Sequence, residues 1–363
     1  MSKVKQHRFK GLSLFASAGI AEFGFENTNI DILIASELLQ KRMDVHNFWH
    51  PNVIPVCGDI TKEKTKKQLI EKSKQKGIDF IFATPPCQGV SLIGKNKSNE
   101  QMLADDRNYL IFHAFEIFDA IDPKAILIEN VARYFKIKFF IDNEYYSLEE
   151  IIREKYGNRY NLDFHVFNAA DHGVPQNRER AIIRMWKKGF KWDNPELQER
   201  ITMEDAIGHL PTLESGEKSN IKNHYSRTHT ESHIRFMKNT PTGKSAFQNE
   251  IHYPKNEKTG KRLKGYASTY KRMDWDKPAP TITMRNDCIS SQSNVHPGRL
   301  QKDGTYSDAR VLTIRELFIL SSLNPDLDVP TFTSDIQIRH MIGEAVPPKL
   351  IHEIAVGLKI NVE

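Results

Sequence analysis

Apolar residues in the first half of the chain come in short runs. The runs at 12–16, 30–36, 53–56, 80–83, 125–129, 163–168 and 181–186 have the length of strands. Between several of them the apolar positions recur at helical spacing, as at 62–76 and 109–121. Strands alternating with helices predict an α/β architecture with a doubly wound, mostly parallel sheet. The unbroken run Ile126-Leu127-Ile128 suits a strand covered on both faces. After Trp186 the pattern breaks. Residues 187–264 are polar and rich in Lys, Asn, Thr and His, which predicts a smaller, loop-rich second domain. Residues 266–298 read as a structured join back to the large domain. Helical spacing returns at 313–323 and at 347–358, the latter opened by Pro347-Pro348. The division expected is a large domain from 1–186 and 308–363, and a second domain with its return segment at 187–307.

Composition narrows the class without deciding it. A chain of 363 residues can bury a core without disulfide or metal staples. Its three cysteines, Cys57, Cys87 and Cys288, lie far apart and form no CxxC pair, which argues against a disulfide framework or a cysteine zinc site. No metal is expected. No apolar run approaches the ~18 residues of a membrane span, and the broken stretch at 12–25 makes no signal peptide. An intracellular, cytoplasmic location follows as an expectation. The formal charge of +6 is too small to imply nucleic acid. Basic clusters at 62–76, 187–191 and 255–272 read first as solvated helix faces or loops, with a polyanion-binding surface the minority reading.

Chemistry-bearing residues fall where predicted strands end, which is where open α/β sheets bind ligands. A turn of small residues, Phe15-Ala16-Ser17-Ala18-Gly19, follows the first strand. Glu37 follows the second, Gly58-Asp59 the third, Pro85-Pro86-Cys87-Gln88 the fourth and Glu129-Asn130 the fifth. Singly, each has a plain alternative: a small turn for helix packing, an acidic helix cap, an inert buried thiol. Together they mark one edge of the sheet. Glu37, roughly 20 positions beyond the turn, suits a ribose diol. The chain has no GxxxxGK[ST], so a nucleoside without a phosphate chain is favoured over ATP. Cys87, between a rigid Pro-Pro step and Gln88-Gly89, has the setting of an aimed nucleophile, and the long polar loop to Arg107 that of a lid.

In this order the motifs resemble those of the cytosine-5 DNA methyltransferases over nearly the whole chain. Phe15–Gly19 resembles the cofactor turn, Pro85-Pro86-Cys87-Gln88 the nucleophile motif and Glu129-Asn130-Val131 the catalytic glutamate motif. Gln176-Asn177-Arg178-Glu179-Arg180 resembles QxRxR. Arg310-Val311-Leu312-Thr313-Ile314-Arg315-Glu316 and Gly343-Glu344-Ala345-Val346-Pro347-Pro348 resemble the two motifs nearest the C-terminus, the last of which packs back beside the cofactor turn. Departures are also present. Ser17 and Ile20 stand where the family turn FxGxGG has glycines, Leu38 where an aromatic is common, Val90 where Phe is common and Glu344 where Asn is usual.

The resemblance implies a bacterial modification-type enzyme that transfers methyl from S-adenosylmethionine to carbon 5 of a flipped cytosine in a specific duplex sequence. It implies catalysis by Cys87, Glu129, Arg178 and Arg180. The implied cofactor contacts are Phe15, Ser17, Gly19, Glu37, Leu38, Asp59, Ile60, Pro86, Leu110, Glu344 and Val346, and the implied DNA contacts are Gln88, Ser91 and Lys95. In the family, residues equivalent to 187–264 recognise the target. Double-stranded DNA is the implied partner, association with the nucleoid the implied setting, and a cognate restriction endonuclease the functional companion. Two rivals remain on the sequence. An RNA cytosine-5 methyltransferase would carry Cys-Phe-Thr, which follows none of the three cysteines, and a non-catalytic DNA-binding relative would lack Cys87 or Glu129.

Overall fold

The computed structural model describes residues 7–86, 106–256 and 258–361. By contact the chain divides into two compact units. The first is Met1–Asn168, Glu179–Leu197 and Pro348–Glu363, and the second is Ala169–Arg178 and Gln198–Pro347. The second thus takes in 308–347, a stretch the sequence pattern grouped with the large domain.

The strands of the first unit, in chain order, are β1 (Phe9–Leu14), β2 (Ile30–Glu37), β3 (Ile54–Cys57), β4 (Phe80–Ala83), β5 (Ala125–Val131), β6 (Lys138–Ile141), β7 (Glu144–Ser147), β8 (Asn161–Asn168), β9 (Glu179–Trp186), β10 (Phe190–Trp192) and β11 (Leu358–Ile360). Seven of them form one sheet in the order β3-β2-β1-β4-β5-β9-β8. The first five in that order run parallel, and β9 runs antiparallel to both neighbours. The seven sequence-predicted strands are all present. The short pairs β6–β7 and β10–β11 were not predicted, since three- and four-residue strands carry too little periodicity to be read.

Helices α1 (Gln40–Trp49), α2 (Glu63–Lys76), α3 (Leu110–Ile121) and α4 (Leu148–Tyr156) flank the sheet. The central strand β4 is buried along its whole length, as its apolar run requires. On α3, Ile111, Ala114, Phe115, Ile117 and Phe118 form the buried stripe of an amphipathic helix. Gly77, with φ of 65°, ends α2 in the left-handed conformation that glycine adopts freely.

The second unit has short helices α5 (Met203–Ile207), α6 (Glu231–Lys238), α7 (Ile314–Leu320) and α8 (Asp335–Glu344) joined by long irregular segments. Its apolar cluster is modest: Phe236, Met237, Ala246, Ile289, Val295, Ala309 and Val311. Buried arginines supply much of the remaining order. The Arg272 guanidinium donates to the carbonyls of Met237, His296, Ser307 and Asp308. Arg310 is fully buried between Asp308 and Glu316, 2.8 Å from each. Burial alone would raise the Glu316 carboxyl, but Arg310 and then His296 outweigh it and hold it far below the usual range. Glu316 also accepts from the backbone of Thr313 and so closes the capping box that starts α7. One motif therefore starts a helix and neutralises a buried cation.

The last helix, α9 (Pro348–Ala355), belongs to the first unit and packs on the turn Ala21–Phe25. Gly24 permits that approach: a Cβ there would lie 2.5 Å from the Pro348 carbonyl oxygen and 2.7 Å from Ile351. Among the described residues no helix is long and apolar enough to cross a membrane.

Candidate active site

The parallel strands β3, β2, β1, β4 and β5 deliver their carboxyl ends to one edge of the first unit. The turn after β1 is strained. Phe15 and Ser17 have φ of 61° and 50°, in the left-handed region that side chains disfavour, and Gly19 has φ of 79°. Hydrogen bonds from neighbouring strand ends hold it. The Ser17 amide donates to Glu37 Oε2 at 3.0 Å, and Thr84 Oγ1 donates to the Phe15 carbonyl at 3.0 Å. His50 Nε2 lies 2.7 Å from the Gly19 carbonyl oxygen. The other oxygen of Glu37 accepts from the Leu39 amide at 3.0 Å.

Glu37 is buried, whereas Leu38 beside it is 60% exposed. Asp59 accepts from the Thr61 amide at 2.9 Å, and that bond holds its carboxyl below the ordinary range. Ile60 is buried, and Pro86 and Leu110 are half-buried.

These residues fit the nucleoside part of S-adenosylmethionine. Each oxygen of the Glu37 carboxylate keeps a second lone pair for a ribose hydroxyl. The Ser17 hydroxyl oxygen is buried without a hydrogen-bond partner among the described residues. Leu38 offers an exposed apolar surface to a flat base. Glu344 and Val346 belong to the second unit, where Glu344 ends α8 and Val346 is buried.

At the end of β5 stands Glu129, 8% exposed, with its Oε1 2.7 Å from Arg180 Nε. The antiparallel course of β9 explains the pairing, because β9 begins where the parallel strands end. Val131 lies opposite Arg180 and Glu129 opposite Ile182, so Glu129 and Arg180 are diagonal neighbours on one face. Asn130 points its amide elsewhere, donating to the Pro85 carbonyl at 2.9 Å. That bond ties the end of β5 to the segment after β4, two residues before Cys87 in sequence. Cys87, Gln88, Ser91 and Lys95 themselves lie outside the described residues.

Arg178 has a different setting, in the second unit. It is 2% exposed and donates to the carbonyls of Ile282 at 2.6 Å, Gly343 at 2.8 Å and Glu344 at 3.1 Å. Gln176 of the same motif donates to the Leu320 carbonyl at 3.1 Å.

Sequence reasoning missed Thr84, His50 and the side-chain role of Asn130. It also missed a buried cluster beside the first turn. Ser13 donates to Glu22 at 2.5 Å, and His46 Nε2 lies 3.9 Å from the same carboxylate oxygen. Burial pushes Glu22 up to about 7 and His46 down to about 3. Glu22 in the apolar stretch at 12–25 was the only signal available. Among the described residues no group of three or more His, Cys, Asp or Glu could hold a metal ion.

Comparison with known proteins converges on one family. The family model described as C-5 cytosine-specific DNA methylase matches residues 9–359. The chain is 48% identical to the Type II methyltransferase M1.HgaI of Avibacterium volantium, over 95% of this chain and 96% of that one. It is 30% identical to the Type II methyltransferase M1.HphI of Haemophilus parahaemolyticus, over 96% and 87%. A solved structure of a putative DNA modification methyltransferase encoded within an Escherichia coli prophage shares the fold, with a TM-score of 0.66 at 19% identity, covering 96% of this chain and 98% of that one.

Proposed function

Because the chain belongs to the C-5 cytosine-specific DNA methylase family, we propose that its methylation of DNA cytosine with S-adenosylmethionine runs through Cys87, Glu129 and Arg180. The observation that carries this reading is the buried Glu129–Arg180 pair at the strand edge, next to the Asn130 tie to Pro85. Carbon 5 of cytosine is too weak a nucleophile by itself. Addition of the Cys87 thiolate at carbon 6 breaks the 5,6 double bond and makes carbon 5 enamine-like. The electron density moves toward N3, where a protonated Glu129 donates and also accepts from the 4-amino group, which favours cytosine over thymine. Arg180 faces the oxygen on carbon 2 and stabilises its anionic character. Loss of the proton on carbon 5 then expels the thiolate. The cofactor, when bound, supplies an electrophilic methyl group, and within the first unit Phe15, Ser17, Gly19, Glu37, Leu38, Asp59, Ile60, Pro86 and Leu110 would hold it. The base must leave the duplex stack to reach this site. Gln88, Ser91 and Lys95 are assigned to contact the DNA there. Arg178 acts by holding backbone rather than by touching substrate.

The test is covalent trapping. A duplex carrying 5-fluorocytosine at the target should form a stable adduct with the wild-type protein and cofactor, because fluorine cannot leave as a proton does. Cys87→Ala should abolish both adduct and turnover, while Glu129→Gln should lower turnover by ~10²–10⁴-fold. An adduct that persists in Cys87→Ala removes the assignment.

Target choice is assigned to 187–307, with 1–186 and 308–363 carrying the chemistry. Within that segment, Lys255 and Arg262 bridge the two arms of a hairpin. Arg262 anchors it, stacked 3.6 Å over the Tyr253 ring and donating to the carbonyls of Phe247 and Asn249. Lys255, Lys258, Lys261 and Lys264 are exposed and form no ion pair among the described residues. Neutralising all four should weaken DNA binding evenly across sequences and flatten its salt dependence by a slope of about 3–4. An unchanged slope would place the phosphate contacts elsewhere. A cognate restriction endonuclease and a nucleoid-associated, cytoplasmic setting complete the proposal.

A further inference from the structure

We propose that His50 is a positioning residue for the cofactor turn, and that it offsets backbone strain which Ser17 brings to this chain. The inference rests on reading Phe15–Gly19 as part of the S-adenosylmethionine site. Three residues of that five-residue turn have positive φ, and two of them carry side chains. A left-handed residue with a side chain persists where its surroundings over-determine it. Here the tie from Glu37 and the tie from Thr84 reach the first half of the turn. Its last residue, Gly19, is held from a different direction.

His50 follows the last residue of α1 directly. Its Nε2 is 2.7 Å from the Gly19 carbonyl oxygen, which can only accept, so Nε2 bears the hydrogen. Burial outweighs that hydrogen bond and lowers the basicity of the ring, in keeping with a neutral donor. The ring is fixed on both sides, 4.6 Å from Phe23 and 5.0 Å from His46 between centroids. The turn presses against this histidine pair. A Cβ at Gly19 would lie 2.6 Å from His50 Cδ2 and 2.8 Å from His46 Cδ2. Helix α1 begins at Gln40, immediately after the Glu37–Leu39 segment. One helix thus runs from one part of the proposed cofactor site to a brace on another.

The experiment measures calorimetric binding of S-adenosylhomocysteine, the KM for S-adenosylmethionine, kcat and melting temperature on the full chain. His50→Phe keeps the ring packing and removes the donor. It should raise Kd and KM about tenfold, leave kcat at saturating cofactor within about twofold and keep the melt close to wild type. His50→Gln, which restores a donor, should recover most of the affinity. His50→Ala serves as the second truncation if the phenylalanine variant does not fold. Ser17→Gly combined with His50→Phe should regain at least threefold of the lost affinity, since glycine adopts φ of 50° without strain. Unchanged affinity in a folded His50→Phe or His50→Ala variant overturns the positioning role, and no regain in the double variant overturns the strain account. Asp59→Ala separates this proposal from the reading beneath it. If Asp59→Ala weakens binding and the His50 variants do not, His50 alone is dismissed; if neither does, the edge is not the cofactor site.

Discussion

Arg178 and Arg180 stand two residues apart in one motif and end in unlike surroundings. Arg178, in the second unit, spends its donors on three backbone carbonyls, those of Ile282, Gly343 and Glu344. Arg180, in the first, pairs with the carboxylate of Glu129. A guanidinium on backbone carbonyls ties its own segment to two distant chain segments, and its contribution is order. A guanidinium on a side-chain carboxylate at a strand edge presents a charge that substrate can share. Residue type and burial are nearly equal in the two, so under the proposed mechanism it is the partners that separate a backbone-holding arginine from one available to chemistry.

The comparison is sharpest at Arg180. Arg180→Ala should cut kcat/KM for cognate DNA by ~10²–10³-fold with a modest change in melting, as expected for loss of a charge-stabilising donor. Near-normal turnover would break the contrast outright. Arg178→Ala should do the reverse, lowering stability by about 3 kcal/mol in denaturant titration because several buried carbonyls lose their donor. A variant that melts normally yet loses turnover a hundredfold would make Arg178 catalytic after all.

Glu22 tests whether the first unit tolerates a charge without a cationic partner. Its folded pKa of about 7 is raised from an ordinary carboxyl by burial, against the Ser13 hydrogen bond, with Glu37 adding repulsion. A raised acid stabilises the fold below its unfolded pKa, and that stability is lost as pH rises through 7. His46 faces it and acts oppositely, since its lowered pKa removes stability as pH falls from 6.5 toward about 3. Wild type should therefore lose about 1–2 kcal/mol relative to Glu22→Gln between pH 5 and 8. Parallel stability profiles would show that the carboxyl is not buried in solution. The smallest effect is expected at Asn130. Asn130→Ala removes one neutral hydrogen bond to Pro85, worth ~1 kcal/mol, and should slow adduct formation about fivefold. Adduct formation at the wild-type rate would mean that the tie does not bear on the nucleophile.

Much of the first unit was legible in the residues. Apolar runs of four to seven residues located the seven strands of the main sheet, most plainly β4 and β5, where burial on both faces leaves little choice of residue type. Alternation with helices implied parallel order, and parallel order implied one edge bearing Phe15, Glu37, Asp59 and Glu129. The second unit was far less legible. Its order comes in good part from arginines such as Arg272, whose partners are the carbonyls of Met237, His296 and Ser307, 24 to 35 residues away in sequence, and no periodicity records such partners.

By itself, then, the sequence determined the sheet, the family and the candidate chemistry, since these depend on local pattern and on motifs in fixed order. Tertiary structure alone decided how the residues divide their work. It reversed β9 beside β5 so that Arg180 meets Glu129, it turned the Asn130 side chain to Pro85, and it brought His50 from the end of α1 to the Gly19 carbonyl. A hydrogen bond depends on where two atoms lie to within a few tenths of an ångström, and that is a property of packing rather than of any segment.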